Sequence, residues 1–230
     1  MAVPKMRGCR LLLVALVALL AAFPALTDLA RPGLLVAVVA SVFVVGVVVV
    51  RPGRRHVRAV VALAVFQFAF TIVEVLLNQG STPHVAAIGF GIGITAILIV
   101  YCIVCVLQYV LQSDVITHDQ VYAGICVYLM LGFAFGSIYY LLNILSPGGF
   151  AINSAKLEAD PTPDMMYFSF ITLATLGYGD ITPVARPARI LAEFEALAGT
   201  LYMAVFMARL VSQHLAGGGR KQGADGREAP

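Results

Sequence analysis

Long apolar segments alternate with short polar or basic connections along the chain. A helix needs about 20 predominantly apolar residues to cross the hydrocarbon core of a bilayer, and six segments approach or exceed that length. They cover residues 10–27, 34–50, 59–77, 85–111, 121–145 and 188–215. The pattern predicts an all-α membrane protein with six transmembrane helices.

The segment between the fifth and sixth spans, residues 146–187, has a different pattern. Pro163 and Asp164 suit the start of a helix, because proline fits the first helical position and the helix dipole favours an acidic residue there. The apolar run that follows, 165–174, is too short to cross a bilayer. We therefore expect a re-entrant helix that leads into non-helical backbone at 175–179. Such backbone is tolerated at membrane depth only within protein or beside water, which predicts an aqueous cavity.

The sequence Thr-Leu-Gly-Tyr-Gly-Asp at residues 175–180 follows this short helix. It resembles the pore loop of potassium channels. The resemblance implies a homotetramer in which four copies direct backbone carbonyls at a common axis, where they replace the hydration shell of K⁺. The permeant ion is then the only cofactor. The implied K⁺ sites are Thr175, Leu176, Gly177 and Tyr178, and the implied selectivity filter runs from Thr175 to Gly179.

Four residues outside the filter are predicted to support it. The resemblance places Asp180 at the outer mouth, and Tyr167 and Thr172 on the pore helix. It also implies that Tyr178 points outward and braces the filter against the pore helix. Glu195, in the sixth span, is predicted to act from behind the filter through hydrogen bonds toward Thr172 or Tyr178.

The role of Glu195 has an alternative. Some potassium channels carry a carboxylate on the pore helix behind the filter, and the matching position here is Ile171, so Glu195 would replace the missing group. Carboxylates inside a membrane are costly and usually functional. In the alternative, Glu193 and Glu195 lie near the outer interface and pair with Arg186 or Arg189.

The sixth span resembles the pore-lining inner helix of the same channels. Gly199 lies where these channels often have a hinge glycine, but a small residue for close helix packing is an equal alternative. Spacing by three to four residues predicts cavity-facing side chains at Thr200, Met203, Met207 and Val211. A ring of Met207 or Val211 is predicted to gate the pore by dewetting.

We predict three parts: a four-helix membrane bundle at 1–112, a pore domain at 113–216, and a disordered cytoplasmic tail at 217–230 that is rich in glycine and charge. The bundle has the placement of a voltage sensor, but its fourth helix, 85–111, contains no Arg or Lys. A voltage sensor requires such charges. The overall resemblance is therefore to bacterial six-helix, single-pore channels of the non-voltage-sensing type, with a motif match over about 121–214.

The basic residues predict the orientation. Eleven of the 15 Lys and Arg residues lie before or at the first span, after the second, or at the end of the sixth. The positive-inside rule then places both termini in the cytoplasm and residues 146–187 outside. We expect a plasma membrane location. Twelve arginines against three lysines in a chain rich in Ala, Val and Gly indicate a GC-rich bacterial genome, and therefore a bacterial inner membrane. The first span also resembles a signal peptide, although the second span, which follows after a short turn, favours a retained helix.

Composition excludes several classes of function. With 60% hydrophobic and 12% charged residues, the chain has too little polar surface for a soluble domain. The net charge of +3 is small and forms no basic stripe, which argues against nucleic acid as a partner. The four cysteines lie in or beside apolar segments, which predicts packing rather than disulfides. The sequence contains neither an H-E-x-x-H nor a G-x-S-x-G motif, which would indicate an enzyme.

The sequence therefore predicts the subunit of a passive K⁺-selective channel. A weakly selective monovalent cation channel is one alternative, disfavoured by the intact Tyr-Gly-Asp. A potassium uptake transporter subunit is another, disfavoured because such proteins resemble four linked pore units. Besides itself and the lipid bilayer, an unidentified regulatory protein is a candidate partner, since the sequence indicates no gating stimulus.

Overall fold

The computed structural model describes residues 8–29, 39–44, 46, 54–77, 85–111, 117–152 and 162–225. Within these ranges the chain is helical apart from one pair of short strands, the turns beside them and the loop at 174–180. The elements are α1 Gly8–Leu29, α2 Arg54–Leu77, α3 Val85–Leu111, α4 His118–Leu145, β1 Phe150–Ile152, α5 Thr162–Leu173, β2 Ile181–Pro183 and α6 Arg186–Asp225.

Four helices in the described ranges are long and apolar enough to cross a membrane. They are Gly8–Leu26, Gly89–Leu111, His118–Leu145 and Arg186–Ser212. A shorter apolar helix, Val57–Val73, lies where the third span was predicted. The second predicted span falls largely outside the described residues, although 39–44 and 46 are helical. The mostly helical, membrane-type architecture is thus confirmed.

The main core joins α1, α3 and α4. Leu12, Leu16, Leu19 and Phe23 of α1 are buried, and their spacing by three and four residues places them on one face of the helix. The ring of Phe23 contacts that of Phe133 on α4 edge to face, with centroids 6.3 Å apart. These contacts make the first predicted span part of the packed core.

All four cysteines are buried free thiols. The Cys126 thiol contacts the carbonyl oxygen of Cys9, with an S–O distance of 3.7 Å that joins α4 to α1. The Cys102 thiol lies 3.8 Å from the carbonyl oxygen of Phe43. Their surroundings agree with the packing role that the sequence predicts.

Helix α5 corresponds to the expected re-entrant helix. Its 12 residues give a length of about 18 Å, well short of the bilayer core. It packs closely on α4, where two glycines leave room for it. A Cβ atom added at Gly132 would lie 2.5 Å from the ring of Phe170, and one at Gly136 would lie 3.2 Å from the Cα atom of Met166.

Two three-residue strands, which the sequence did not predict, connect the end of α4 to the start of α6. Strands β1 and β2 pair antiparallel, with Ala151 opposite Thr182. The N–H groups of Val184 and Ala185 both donate to the carbonyl oxygen of Gly149, at 2.9 and 3.0 Å. The chain that leaves residues 175–180 is therefore tied to the turn that ends α4.

Helix α6 extends further than the sequence predicts. It continues to Asp225, so residues 217–225 are helical where a disordered tail was expected. Alanine, lysine, arginine and glutamine favour helix, and four of these residues, Arg220, Lys221, Gln222 and Ala224, follow the three glycines. These residues are compatible with a helix that continues past the glycines.

Candidate functional site

The end of α5 turns directly into residues 175–179. The N–H group of Ala174 donates to the carbonyl oxygen of Phe170 at 3.0 Å, and that of Leu176 to Ile171 at 2.8 Å. Thr172 accepts the Thr175 N–H group at 2.9 Å through its backbone carbonyl. The last helical carbonyls thus hold the start of the loop. The negative end of the helix dipole lies beside the loop and favours a cation there.

The backbone of the loop alternates in handedness. Thr175, Gly177 and Gly179 have positive φ angles of 58°, 53° and 80°, whereas Leu176 and Tyr178 between them do not. In a strand, successive carbonyls point to opposite sides. Alternation between left- and right-handed conformations instead turns successive carbonyls toward the same side. Glycine adopts positive φ without steric cost, which explains the two glycines at this spacing.

The carbonyl oxygens of residues 175–179 are available to a ligand. None of the five accepts a hydrogen bond from any part of the chain that the structure describes. All five residues are exposed in the single chain, with Leu176 at 56% and Tyr178 at 67%. A row of unpaired carbonyls on one side of the backbone can coordinate a dehydrated monovalent cation.

Tyr167 and Asp180 meet at the end of this loop. The Tyr167 hydroxyl donates to Oδ2 of Asp180 at 2.8 Å, and Oδ1 of Asp180 accepts the N–H group of Ile181 at 3.1 Å. Two of the predicted supporting residues are therefore joined, and they link α5 to the chain leaving the loop.

Replacing Tyr167 with phenylalanine removes this link. We expect a loss of about 1 kcal/mol in the free energy of unfolding, small because the pair is exposed. Thermal unfolding measures this loss. Tyr122→Phe is the matched control, since no hydrogen bond of its hydroxyl is found within the described residues. Equal behaviour of the two variants would contradict the supporting role.

Behind α5, Glu195 is completely buried. Its Oε2 atom accepts a hydrogen bond of 2.6 Å from the Tyr139 hydroxyl of α4. Its Oε1 atom lies 2.5 Å from Oγ of Ser169 on α5. The expected partners, Thr172 and Tyr178, are thus incorrect, because the side chain of Glu195 extends toward the α4-facing side of α5.

The alternative placement of Glu195, paired with an arginine, is also incorrect. The Arg189 Nε–H group donates instead to the carbonyl oxygen of Pro183 at 3.1 Å. Glu193 is exposed on α6, so the two glutamates lie in different environments. Glu193 and Glu195 are two residues apart, which places their side chains on roughly opposite sides of the helix.

Tyr139, which donates to the buried carboxyl, belongs to a small aromatic cluster. Tyr139, Phe150 and Phe168 contact one another edge to face, with ring centroids 4.9 to 5.7 Å apart. Sequence reasoning missed Tyr139 and Ser169 as site residues. One signal was available for Ser169, a polar residue within an otherwise apolar helix, but no local pattern identifies Tyr139.

Gly199 lies where α6 packs closely against the end of α5. A Cβ atom at this position would be 2.7 Å from the carbonyl oxygen of Leu173 and 2.9 Å from its Cδ1 atom. The same carbonyl accepts a 3.1 Å hydrogen bond from the Tyr128 hydroxyl of α4. This contact favours the packing alternative for Gly199.

The four predicted cavity residues are all exposed in the single chain: Thr200, Met203, Met207 and Val211. The Thr200 hydroxyl donates within the helix to the carbonyl oxygen of Ala196 at 2.9 Å. In an apolar 18-residue stretch of Arg186–Ser212 only 11% of the residues are buried, against 44% in the corresponding stretch of His118–Leu145. The surface that α6 leaves uncovered is therefore large and apolar.

Comparison with known proteins assigns the family. The sequence profile of the family described as "Ion channel" matches residues 127–214, which include α5, the loop and most of α6. Protein LctB of Bacillus caldotenax is 34% identical over 96 residues, which cover 40% of this chain and 71% of that protein. The chain belongs to this ion-channel family. It is a multi-pass membrane protein of the channel class.

Two plant proteins are also similar to part of the chain. Two-pore potassium channel 2 of Arabidopsis thaliana is 33% identical over 102 residues, 44% of this chain. Two pore potassium channel c of Oryza sativa subsp. japonica is 30% identical over 86 residues, 37% of this chain. The matches span only 20% and 18% of those proteins. No solved structure matches the chain.

Proposed function

We propose that the chain is the subunit of a potassium-selective channel, with its filter at Thr175–Gly179. The observation that carries the proposal is the alternating backbone at 175, 177 and 179, with five carbonyl oxygens that no described group satisfies. Carbonyl rings replace the hydration shell of K⁺ in potassium channels. The names of the plant relatives support the choice of ion.

A tetramer is the second part of the proposal. One chain supplies carbonyls on one side only, so a complete coordination shell requires copies around an axis. Two exposed features supply the contacts: Tyr178, at 67% exposure, would brace the filter against the α5 helix of a neighbouring copy, and the apolar surface of α6 would face neighbours and the cavity. Native mass spectrometry of the purified 24.4 kDa chain should show four copies, and a monomer or dimer as the conducting species would contradict this.

The proposed placement is a plasma membrane, with both termini in the cytoplasm and the filter mouth near Asp180 outside. The distribution of Arg and Lys supports this orientation. Six spans are proposed: the four helices described above, the apolar helix Val57–Val73 and the segment at 34–50. The bundle formed by the first four of these six spans would lack voltage-sensor charges. The opening stimulus would therefore act on the pore domain or through a regulatory partner.

Ion flux across liposome membranes tests the function. Vesicles that contain the purified protein and internal K⁺ should develop a potassium diffusion potential, whereas the same vesicles prepared with internal Na⁺ should develop almost none. Protein-free vesicles and vesicles with the Gly177→Ala variant serve as controls. Equal flux of K⁺ and Na⁺ would favour the weakly selective alternative and contradict K⁺ selectivity.

Val211 is the proposed gate residue with the clearest test. Its side chain is 55% exposed in the single chain, and a ring of four would form an apolar constriction that excludes water. A charged side chain would keep the constriction wet, so Val211→Asp is expected to raise the open probability. Ser212→Asp is the matched control, because it adds the same charge one residue away on another face. An unchanged open probability in Val211→Asp would rule out this gate.

A further inference from the structure

Three helices meet at the carboxyl of Glu195. The side chain belongs to α6 and is fully buried. It contacts the Tyr139 hydroxyl of α4 through Oε2 at 2.6 Å and Oγ of Ser169 on α5 through Oε1 at 2.5 Å. Oγ of Ser169 also lies 2.8 Å from the carbonyl oxygen of Gly132 on α4. The result is a continuous chain of hydrogen-bond distances from Tyr139 to Gly132.

The number of hydrogen atoms available for these contacts depends on the charge of Glu195. Tyr139 supplies one hydrogen, to Oε2. Ser169 has one hydrogen, and the carbonyl of Gly132 can only accept. With an ionised carboxylate, Ser169 would therefore have to serve two acceptors with one hydrogen, and one close oxygen–oxygen contact would have none. A proton on Oε1 removes the conflict: Oε1–H donates to Ser169, and Ser169 donates to Gly132.

We propose that Glu195 is a proton-binding site, occupied at neutral pH, whose bound proton lets Ser169 of the pore helix α5 hydrogen-bond to the inner helix α6 and to α4 at the same time. The burial of the side chain agrees with this, because ionising a carboxyl away from water is costly unless other groups compensate the charge. Within the described residues, no ion pair joins Glu195 to a basic side chain.

The other titratable groups near Glu195 do not compensate the charge that an ionised carboxylate would carry. On α4 these are Tyr139 and Tyr128, and the Tyr128 hydroxyl is bonded to the carbonyl of Leu173. On α5, Tyr167 is exposed and bonded to Asp180. On α6, Arg189 is bonded to the Pro183 carbonyl and Glu193 is exposed. Strands β1 and β2 carry no titratable side chain.

Loss of the proton would rearrange the contacts behind the loop. The ionised Oε1 atom would take the hydrogen of Ser169, and the carbonyl of Gly132 would lose its bond. Since Ser169 lies on the helix that positions residues 175–179, the support of the filter would loosen at alkaline pH. This consequence rests on the proposed channel function, whereas the protonation of Glu195 does not.

Infrared spectroscopy of the full-length protein in lipid bilayers tests the protonation directly. At neutral pH the wild type should show the carbonyl stretch of a neutral carboxylic acid, which is lost in Glu195→Gln and kept in Glu193→Gln. Raising the pH should convert this band to that of a carboxylate. A wild-type spectrum without the band, or one that Glu195→Gln leaves unchanged, would overturn the proposal.

A second variant keeps the test informative if Glu195→Gln does not fold. Tyr139→Phe removes the donor to Oε2 and leaves the carboxyl in place, so the same band should remain and shift to higher frequency. An unshifted band would show that the neutral carboxyl belongs to another residue, which would overturn the assignment.

Current recordings at different pH test the consequence. The wild type and Glu193→Gln should lose K⁺ current on alkalinisation, whereas the current of Glu195→Gln should no longer depend on pH over that range. An equal alkaline loss in Glu195→Gln would refute the coupling of this proton to the filter. If no variant and no wild-type protein carried K⁺ current, the channel proposal would fail while the infrared result would still stand.

Discussion

Replacing Gly177 with alanine is expected to abolish K⁺-selective conduction. Gly177 has a φ angle of +53°, a conformation that costs an L-residue about 1–2 kcal/mol, and a symmetric assembly would repeat this cost in every copy. The strain is relieved when the peptide rotates to negative φ, which turns a filter carbonyl away from the others. Single-channel recording measures the loss of current.

Gly148→Ala is the matched control for this variant. Gly148, in the turn after α4, has a φ angle of +85°, and a Cβ atom would meet nothing within 4 Å at either glycine. Both substitutions therefore introduce backbone strain of the same kind without a steric clash, but only one lies in the loop. We expect Gly148→Ala to lose some stability and keep its current. A Gly177→Ala channel with wild-type selectivity would contradict the role of the alternating backbone.

Replacing Gly199 with alanine is expected to lower both the thermal stability and the K⁺ current. The new Cβ atom would lie 2.7 Å from the backbone carbonyl oxygen of Leu173, which can move only if the end of α5 moves. Overpacking of this kind costs about 1–3 kcal/mol. Because Thr175 follows two residues later, displacement of Leu173 would also disturb the loop. Thermal unfolding and current amplitude measure the two effects.

Gly93→Ala provides the comparison. Gly93 lies within α3, and a Cβ atom there would meet nothing within 4 Å, so alanine should be neutral or stabilising by up to about 1 kcal/mol through helix propensity. If Gly199 were a hinge rather than a packing position, Gly199→Ala would change the open probability while its unfolding midpoint stayed close to that of Gly93→Ala. That result would contradict the packing role.

Features that depend on local pattern could be predicted from the sequence. Apolar runs of sufficient length identify α1, α3, α4 and α6 because the bilayer fixes the length of a span. The short run after Asp164 identified α5 for the same reason. The membership in an ion-channel family is confirmed by the comparisons, whereas the filter at 175–179 stays a prediction that the backbone geometry supports.

The partners of Glu195 could not be predicted, because they depend on tertiary packing. Ser169 and Tyr139 are separated from it by 26 and 56 residues, and no periodic pattern connects them. Strands β1 and β2 were missed because three residues are too few for a recognisable alternation. The helical backbone at 217–225 was not predicted, because glycine and charged residues are typical of disordered segments.

The reversal potential of the purified protein in a planar bilayer tests the central claim most directly. With K⁺ on one side and Na⁺ on the other, carbonyls of residues 175–179 that replace the hydration shell of K⁺ predict a reversal close to the K⁺ equilibrium potential. A reversal near zero under the same gradient would show that Na⁺ passes as readily as K⁺, and would contradict the filter proposed at these residues.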